Sequence, residues 1–332
     1  MGKLDILVPM YNESEDAIRP LLDSIAIQQN VNLAEDVGVI VCCDGGTARL
    51  SDELMAEYPF HIEFHMREHE GVSATRNACL DLSEAEYVIF SDCDDMFCHV
   101  CGLHIIFNEM EGDGFDTMVS TFIEETRHPE TKQPLYVNHD MDSTFVHGKV
   151  HRREYLVENG IRFNDALTVH EDSYFNILAQ NLAEPERAKY CPHPFYLWKW
   201  RDSSVCRHDP DYILKTYNNM LDSNDALVNE FERRERHDKA VFYACFMIMD
   251  AYYTMNKKEW LDKTHKDYRD AVEKRFAKYY SDHKSKWEEV GDAERMAISN
   301  GVRTRSVMEG MPMETITIDA WLNHVSSVTA VG

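Results

Sequence analysis

The chain has 332 residues, 44% of them hydrophobic, and carries 34 Lys and Arg against 59 Asp and Glu, a net charge of −25. That apolar content supports a real core and excludes a disordered chain. So acidic a balance argues against a non-specific polyanion binder, which needs clustered Lys and Arg.

The N-terminal half reads as strands alternating with helices. Residues 4–9 are a short apolar run of buried-strand type, and residues 15–29 follow with Ile18, Leu21, Leu22 and Ile25 at helical spacing. Residues 37–43 are a second buried strand, stopped by Asp44-Gly45-Gly46, and residues 49–58 read as a helix. Ile62, Phe64 and Met66 alternate with Glu63 and His65 as a third strand; residues 71–82 are helical, and residues 87–91 form a fourth strand ending at Asp92. Four such alternations predict βαβ units and a mostly parallel sheet. Beyond residue 115 the pattern is mixed. It has a strand at 117–123, a loop or hairpin at 127–138, helices at 152–159 and 171–181, and an aromatic strand at 195–201. From 211 to about 290 helical stretches dominate, and no internal repeat is present.

Ligands of open α/β sheets bind beyond the carboxyl ends of the strands. Three of the four strands end there in polar clusters: Tyr11-Asn12-Glu13, Asp44-Gly45-Gly46, and Asp92-Cys93-Asp94-Asp95. Three carboxylates within four residues repel one another unless a cation or hydrogen bonds compensate. Hard oxygens at a strand end suit Mg2+ or Mn2+, and helix capping by the same acids is the plain alternative. Gly71-Val72-Ser73-Ala74-Thr75-Arg76-Asn77 is a glycine turn entering a helix, with an Arg able to pair with phosphate. His170-Glu171-Asp172 opens a helix, where a carboxylate serves either as a base towards a hydroxyl or as a cap. The segment from Trp198 to Arg207 mixes aromatics with cations.

In this order the segments resemble glycosyltransferase family 2, of GT-A type. The resemblance rests on Val8-Pro9-Met10-Tyr11-Asn12, Asp44-Gly45-Gly46-Thr47, Gly71 to Asn77, Asp92 to Asp95, Glu171-Asp172 before Tyr174-Phe175, and Trp198 to Arg207, and covers residues 4 to about 208. It implies a nucleotide-sugar-binding half at 1–128, an acceptor-binding half at 129–209, and a mainly helical appendage at 210–332. It further implies that Pro9, Tyr11 and Glu13 line the nucleoside pocket and that Asp44 contacts the base. Arg76 would lie near the base or diphosphate, with Asp92 on the donor side. Asp94 and Asp95 would face Mg2+ or Mn2+, Asp95 as the direct ligand. Arg207 would face the leaving diphosphate. Asp172 would be the catalytic base, with Glu171 orienting it or the acceptor. The implied reaction is inverting transfer of a sugar from a nucleotide sugar, UDP first, to a glycan-type hydroxyl. Where relatives carry two acids before the first glycine, Cys43 precedes Asp44 here, so base recognition rests on Asp44 alone.

Two other readings stand beside it: transfer to a hydroxylated base in viral DNA, and an inactive nucleotide-binding or scaffolding module on the same fold. The basic run Lys149-Val150-His151-Arg152-Arg153 keeps the DNA reading open. Residues 257–286 hold ten Lys and Arg against six acids, a candidate contact for an anionic membrane or polyanion, or a solvated helix face. Cys93, Cys98, Cys101 and His104 have zinc-like types without a second paired knuckle, and His208 is a further candidate ligand. The nine cysteines, odd in number and irregularly spaced, fit free thiols better than a disulfide framework. With no apolar run near the ~20 residues of a membrane span and no signal-peptide pattern at Met1-Gly2-Lys3-Leu4-Asp5, a cytoplasmic chain is expected.

Overall fold

A computed structural model of the chain describes residues 2–202, 204, 211–308 and 316–329. The sheet is built around β1 (Leu4–Met10), whose Leu4, Ile6, Leu7, Val8 and Met10 are all buried. An apolar strand covered on both faces is what a central parallel position requires. β2 (Val37–Cys43) and β4 (Tyr87–Phe90) flank β1 in parallel, and β3 (His61–Met66) lies parallel outside β2. Burying each large aliphatic side chain of this kind stabilises by about 1.5–3 kcal/mol.

The sheet has nine strands in the order β3-β2-β1-β4-β8-β6-β9-β5. β5 is Met96–Phe97, β6 Thr117–Arg127, β8 Lys149–Arg152 and β9 Ala188–Trp198; β7 (Pro134–His139) pairs only with β6. β8 runs antiparallel to both β4 and β6, while β6 and β9 are parallel. The expected α/β sheet flanked by helices is present, with β1 to β4 parallel, but the sheet as a whole is mixed rather than mostly parallel. Among the described residues, four of its eight strand pairings are parallel and four, made by β5, β7 and β8, are antiparallel. The hairpin expected at 127–138 is the β6–β7 ribbon.

Several elements differ from their sequence reading. The helix expected at 49–58 spans only Asp52–Ala56, because the Ser51 hydroxyl caps it by accepting from the Leu54 N–H. The first helix stops at Ala26 rather than 29. β9 begins at Ala188, seven residues early, and ends at Trp198.

The chain divides into two compact units, Met1–Asp202 and Ser203–Gly332. The second is helical among its described residues, through Tyr217–Arg233, His237–Met255, Lys266–Glu289, Asp292–Met308 and Ile318–Thr329. Its core gathers Tyr217, Ile248, Phe276, Tyr279, Trp287 and Trp321. Many cations of the basic stretch are paired there: Lys266 with Asp270 at 2.6 Å, Arg275 with Asp222 at 2.6 Å, and Lys286 with Glu232 at 2.9 Å. No helix among the described residues is long and apolar enough to cross a membrane.

Candidate active site

Because β1 to β4 are parallel, their carboxyl ends share one edge of the sheet, and the polar clusters sit there. After β2, Asp44 is almost fully buried, and both its oxygens accept hydrogen bonds. Oδ1 accepts from Glu70 N–H at 2.8 Å, and Oδ2 from Gly71 N–H at 3.0 Å and His69 Nδ1 at 2.9 Å. Burial works against its charge, but these donors outweigh it and hold the carboxyl below the usual range. Asp44 thus fixes the turn that launches the Val72–Leu82 helix, where Gly71 adopts φ 97°, a conformation suited to glycine. A Cβ on Gly46 would run into Asn12 Oδ1, so the paired glycines let the β1 and β2 ends approach. Tyr11 is exposed, and its ring lies 5.0 Å from that of His69. Pro9 lies within β1 opposite Cys42, half-buried. Glu13 accepts from the Tyr11 N–H at 2.8 Å.

Arg76 joins the two acidic segments. Its helix buries the guanidinium, whose Nη2 lies 3.1 Å from Asp92 Oδ1 and whose Nη1 lies 2.9 Å from Glu171 Oε1. The expectation placed Arg76 near base or diphosphate; at these distances its N–H groups donate to two carboxylates. Residues 92 and 171, 79 positions apart in sequence, meet across one side chain.

The three aspartates after β4 are treated differently. Burial disfavours the charge of Asp92, yet Arg76, His147 and Arg201 prevail and hold its carboxyl low. Asp94 is pushed up by burial against the pull of Arg201, whose Nη1 sits 3.0 Å from its Oδ2. Asp95 is 1% exposed and is driven well up by burial, then by Asp92 and Asp94. Its oxygens accept from the Tyr196 hydroxyl at 2.7 Å and the Lys199 N–H at 2.9 Å. His147, just before β8, approaches Asp95 Oδ2 at 3.5 Å. Among the described residues, only Asp92, Asp95 and His147 gather three ligand-type atoms within 4.8 Å of one another. The two carboxylates suit Mg2+ or Mn2+, while the imidazole favours a transition metal and so Mn2+ over Mg2+. Asp94, an expected ligand with Asp95, lies outside this trio on Arg201. Cys93, Cys98, Cys101 and His104 form no such group, and the eight described cysteines are free thiols.

Glu171 and Asp172 start the Glu171–Leu182 helix behind His170, which holds a left-handed φ of 63°. Such a backbone in a non-glycine residue is strained and persists where the surroundings dictate it. Asp172 Oδ1 accepts from its neighbour Ser173 N–H at 2.8 Å, a local cap. Burial, then the Glu171 charge, lifts its carboxyl to about 7, with Arg76 and Lys149 pulling the other way. Lys149 is itself 1% exposed, held down to about 8 by burial despite Asp142 and Asp172.

The basic run at 149–153 is therefore no polyanion surface. Lys149 and His151 are buried within β8, burial and Lys149 hold His151 near 3 and so neutral, and Arg152 pairs with Asp116 at 2.9 Å. Arg207 and His208 lie outside the described residues. His147, Tyr196 and Arg201 were not among the expected site residues. The aromatic strand that carries Tyr196 was the one local signal for them.

The sequence model described as "Glycosyl transferase family 2" matches residues 5–162. The teichoic acid poly(glycerol phosphate) polymerase of Staphylococcus epidermidis is 29% identical over 144 residues, 42% of this chain and 18% of its own. Glycosyltransferase GlyA of Streptococcus pneumoniae is 26% identical over 230 residues, 62% of this chain and 32% of its own. The chain thus spans a third or less of those relatives. The crystal structure of S. aureus TarS 1-349 in complex with UDP-GlcNAc superposes with a TM-score of 0.64 at 18% identity, covering 83% of this chain and 80% of that one, which shows a shared fold.

Proposed function

Because residues 5–162 carry a glycosyltransferase family 2 domain, we propose that this chain transfers a sugar from a UDP-sugar to a hydroxyl of a glycan-type acceptor, with inversion. The observation that carries this reading is the Arg76 bridge, which places the residue 92–95 turn and the Glu171-Asp172 pair at one site. The TarS complex with UDP-GlcNAc supports UDP as the nucleotide, and the named teichoic acid relative supports a glycan or polyol acceptor.

In this reading Tyr11 stacks on the nucleobase, Glu13 lines the nucleoside pocket and Asp44 keeps that pocket's wall in place. Asp92, Asp95 and His147 would hold a divalent cation, with Asp94 beside them as a further oxygen donor. Mg2+ or Mn2+ bound there would supply positive charge against the departing diphosphate. The acceptor oxygen attacks the anomeric carbon as the bond to the diphosphate oxygen breaks, and that oxygen keeps the electron pair. The acceptor proton passes to Asp172. A carboxyl lifted to about 7 is a far better base near neutral pH than an ordinary aspartate. Glu171, held by Arg76, keeps negative charge beside Asp172 and so maintains that shift.

The test is a panel of UDP- and GDP-sugars with Mn2+ and a set of glycan and polyol-phosphate acceptors, read as nucleotide release. Acceptor-dependent UDP release supports the reading. Metal-dependent nucleotide binding without release on any acceptor would leave the scaffolding module instead.

A further inference from the structure

β9 ends inside the site, and one of its side chains touches each member of the candidate metal trio. Tyr196 is 0% exposed. Its hydroxyl donates to Asp95 Oδ2 at 2.7 Å and accepts from the Asp92 N–H at 3.2 Å, and it lies 3.1 Å from the Ser91 hydroxyl. Its ring stacks on the His147 ring, centroids 5.3 Å apart and planes at 22°. These contacts join three stretches far apart in sequence: the turn after β4, the approach to β8 at His147, and β9.

We propose that Tyr196 is a positioning residue of the donor site, its hydroxyl setting the orientation of Asp92 and Asp95 and its ring seating His147. This rests on the donor-site reading above. Three carboxylates in one turn drive each other apart until a cation arrives. Arg76 and Arg201 answer part of that repulsion at Asp92 and Asp94, whereas the Tyr196 hydroxyl meets Asp95 without adding a charge that would compete with the metal there. A neutral phenol binds both ends of the turn while adding no charge. The Lys199 N–H on the other Asp95 oxygen continues the same brace from the residue just past that strand. Groups that orient metal ligands from outside the coordination sphere change metal affinity by about 10–100-fold.

The test is calorimetric titration with Mn2+ alone, alongside thermal melting, on the full chain and on variants. Tyr196→Phe keeps the ring and removes the hydroxyl; Mn2+ affinity is expected to fall by ~10-fold or more with the fold retained. Phe97→Leu is the control for packing, since the Phe97 ring packs against that of Tyr196 at 6.4 Å without touching the hydroxyl. It is expected to melt lower and to bind Mn2+ as the parent does. Equal Mn2+ affinity in Tyr196→Phe and the parent would overturn the proposal, as would an equal loss in Phe97→Leu. Should Tyr196→Phe not fold, Ser91→Ala removes one partner of the same hydroxyl. A smaller loss of Mn2+ affinity is then expected, and no loss would contradict the proposal. A parent chain that takes up no Mn2+ overturns the donor-site reading itself, whereas Mn2+ uptake unchanged by Tyr196→Phe overturns only the role of Tyr196.

Discussion

The residue 92–95 turn and the Glu171-Asp172 pair are both acidic and both sit at the start or end of a regular element, yet their surroundings divide them. The first holds three carboxylates gripped by Arg76, Arg201, Tyr196 and a backbone N–H, with His147 beside them. The second holds one carboxylate tied to Arg76 and one whose charge is opposed by burial and by its neighbour. Identical side chains thus acquire different chemistry from what faces them: cation binding in the first region, proton uptake in the second. Breaking the first should show in binding, and breaking the second in turnover.

Arg76→Met strikes both regions and should have the largest effect. Removing the guanidinium leaves Asp92 and Glu171 unpaired around a buried site, which costs about 3–5 kcal/mol. Chemical denaturation should show a loss of that order together with loss of nucleotide binding; a variant of parental stability would remove the bridge from the account. Asp95→Ala confines the damage to the first region. Metal-dependent UDP binding, followed by calorimetry, should weaken by ~10²-fold while metal-free melting still shows a folded chain. Unchanged Mn2+-dependent binding would take Asp95 out of the cation site. Tyr11→Ala is the mildest, reaching only the nucleobase. Loss of one stacking ring should weaken UDP by about 1–3 kcal/mol with no change in Mn2+ affinity, and a parental UDP dissociation constant would deny the stacking role.

Much of this was legible in the sequence. The alternation of strands with helices placed β1 to β4: β1, β2 and β4 as apolar runs covered on both faces, and β3 by its alternating apolar and polar residues. The acidic turn and the Glu-Asp pair were visible as motifs. β8 was not, because its Lys149 and His151 are polar side chains buried for reasons no local pattern displays. The first part of β9 was hidden by Pro192 and Pro194, which oppose a strand reading although the segment pairs with β6 across an irregular register. His147 and Tyr196 reach the acidic turn through sheet topology, and the aromatic-basic segment that includes Arg201 marked a site without saying which carboxylate its Arg would meet. Arg76 was read as a phosphate ligand because its motif says Arg and not which anion it meets. In the second unit the basic stretch admitted both a docking surface and a solvated helix face, and the i,i+4 partners Asp270 and Asp282 make much of it the paired helix face.

The central claim is that Asp172 acts on the proton and not on the donor, and the most direct measurement is the split between affinity and turnover in Asp172→Asn. An amide preserves the local cap and removes the base. UDP and Mn2+ affinity should stay within about twofold of the parent while kcat falls by at least ~10²-fold. The parent's kcat should rise with pH and level off above about 7, since the carboxyl lifted to that value must be ionised to accept the proton. The residual rate of Asp172→Asn should lose that rise. Near-parental turnover in Asp172→Asn, or a product that keeps the anomeric configuration of the donor, would contradict the account.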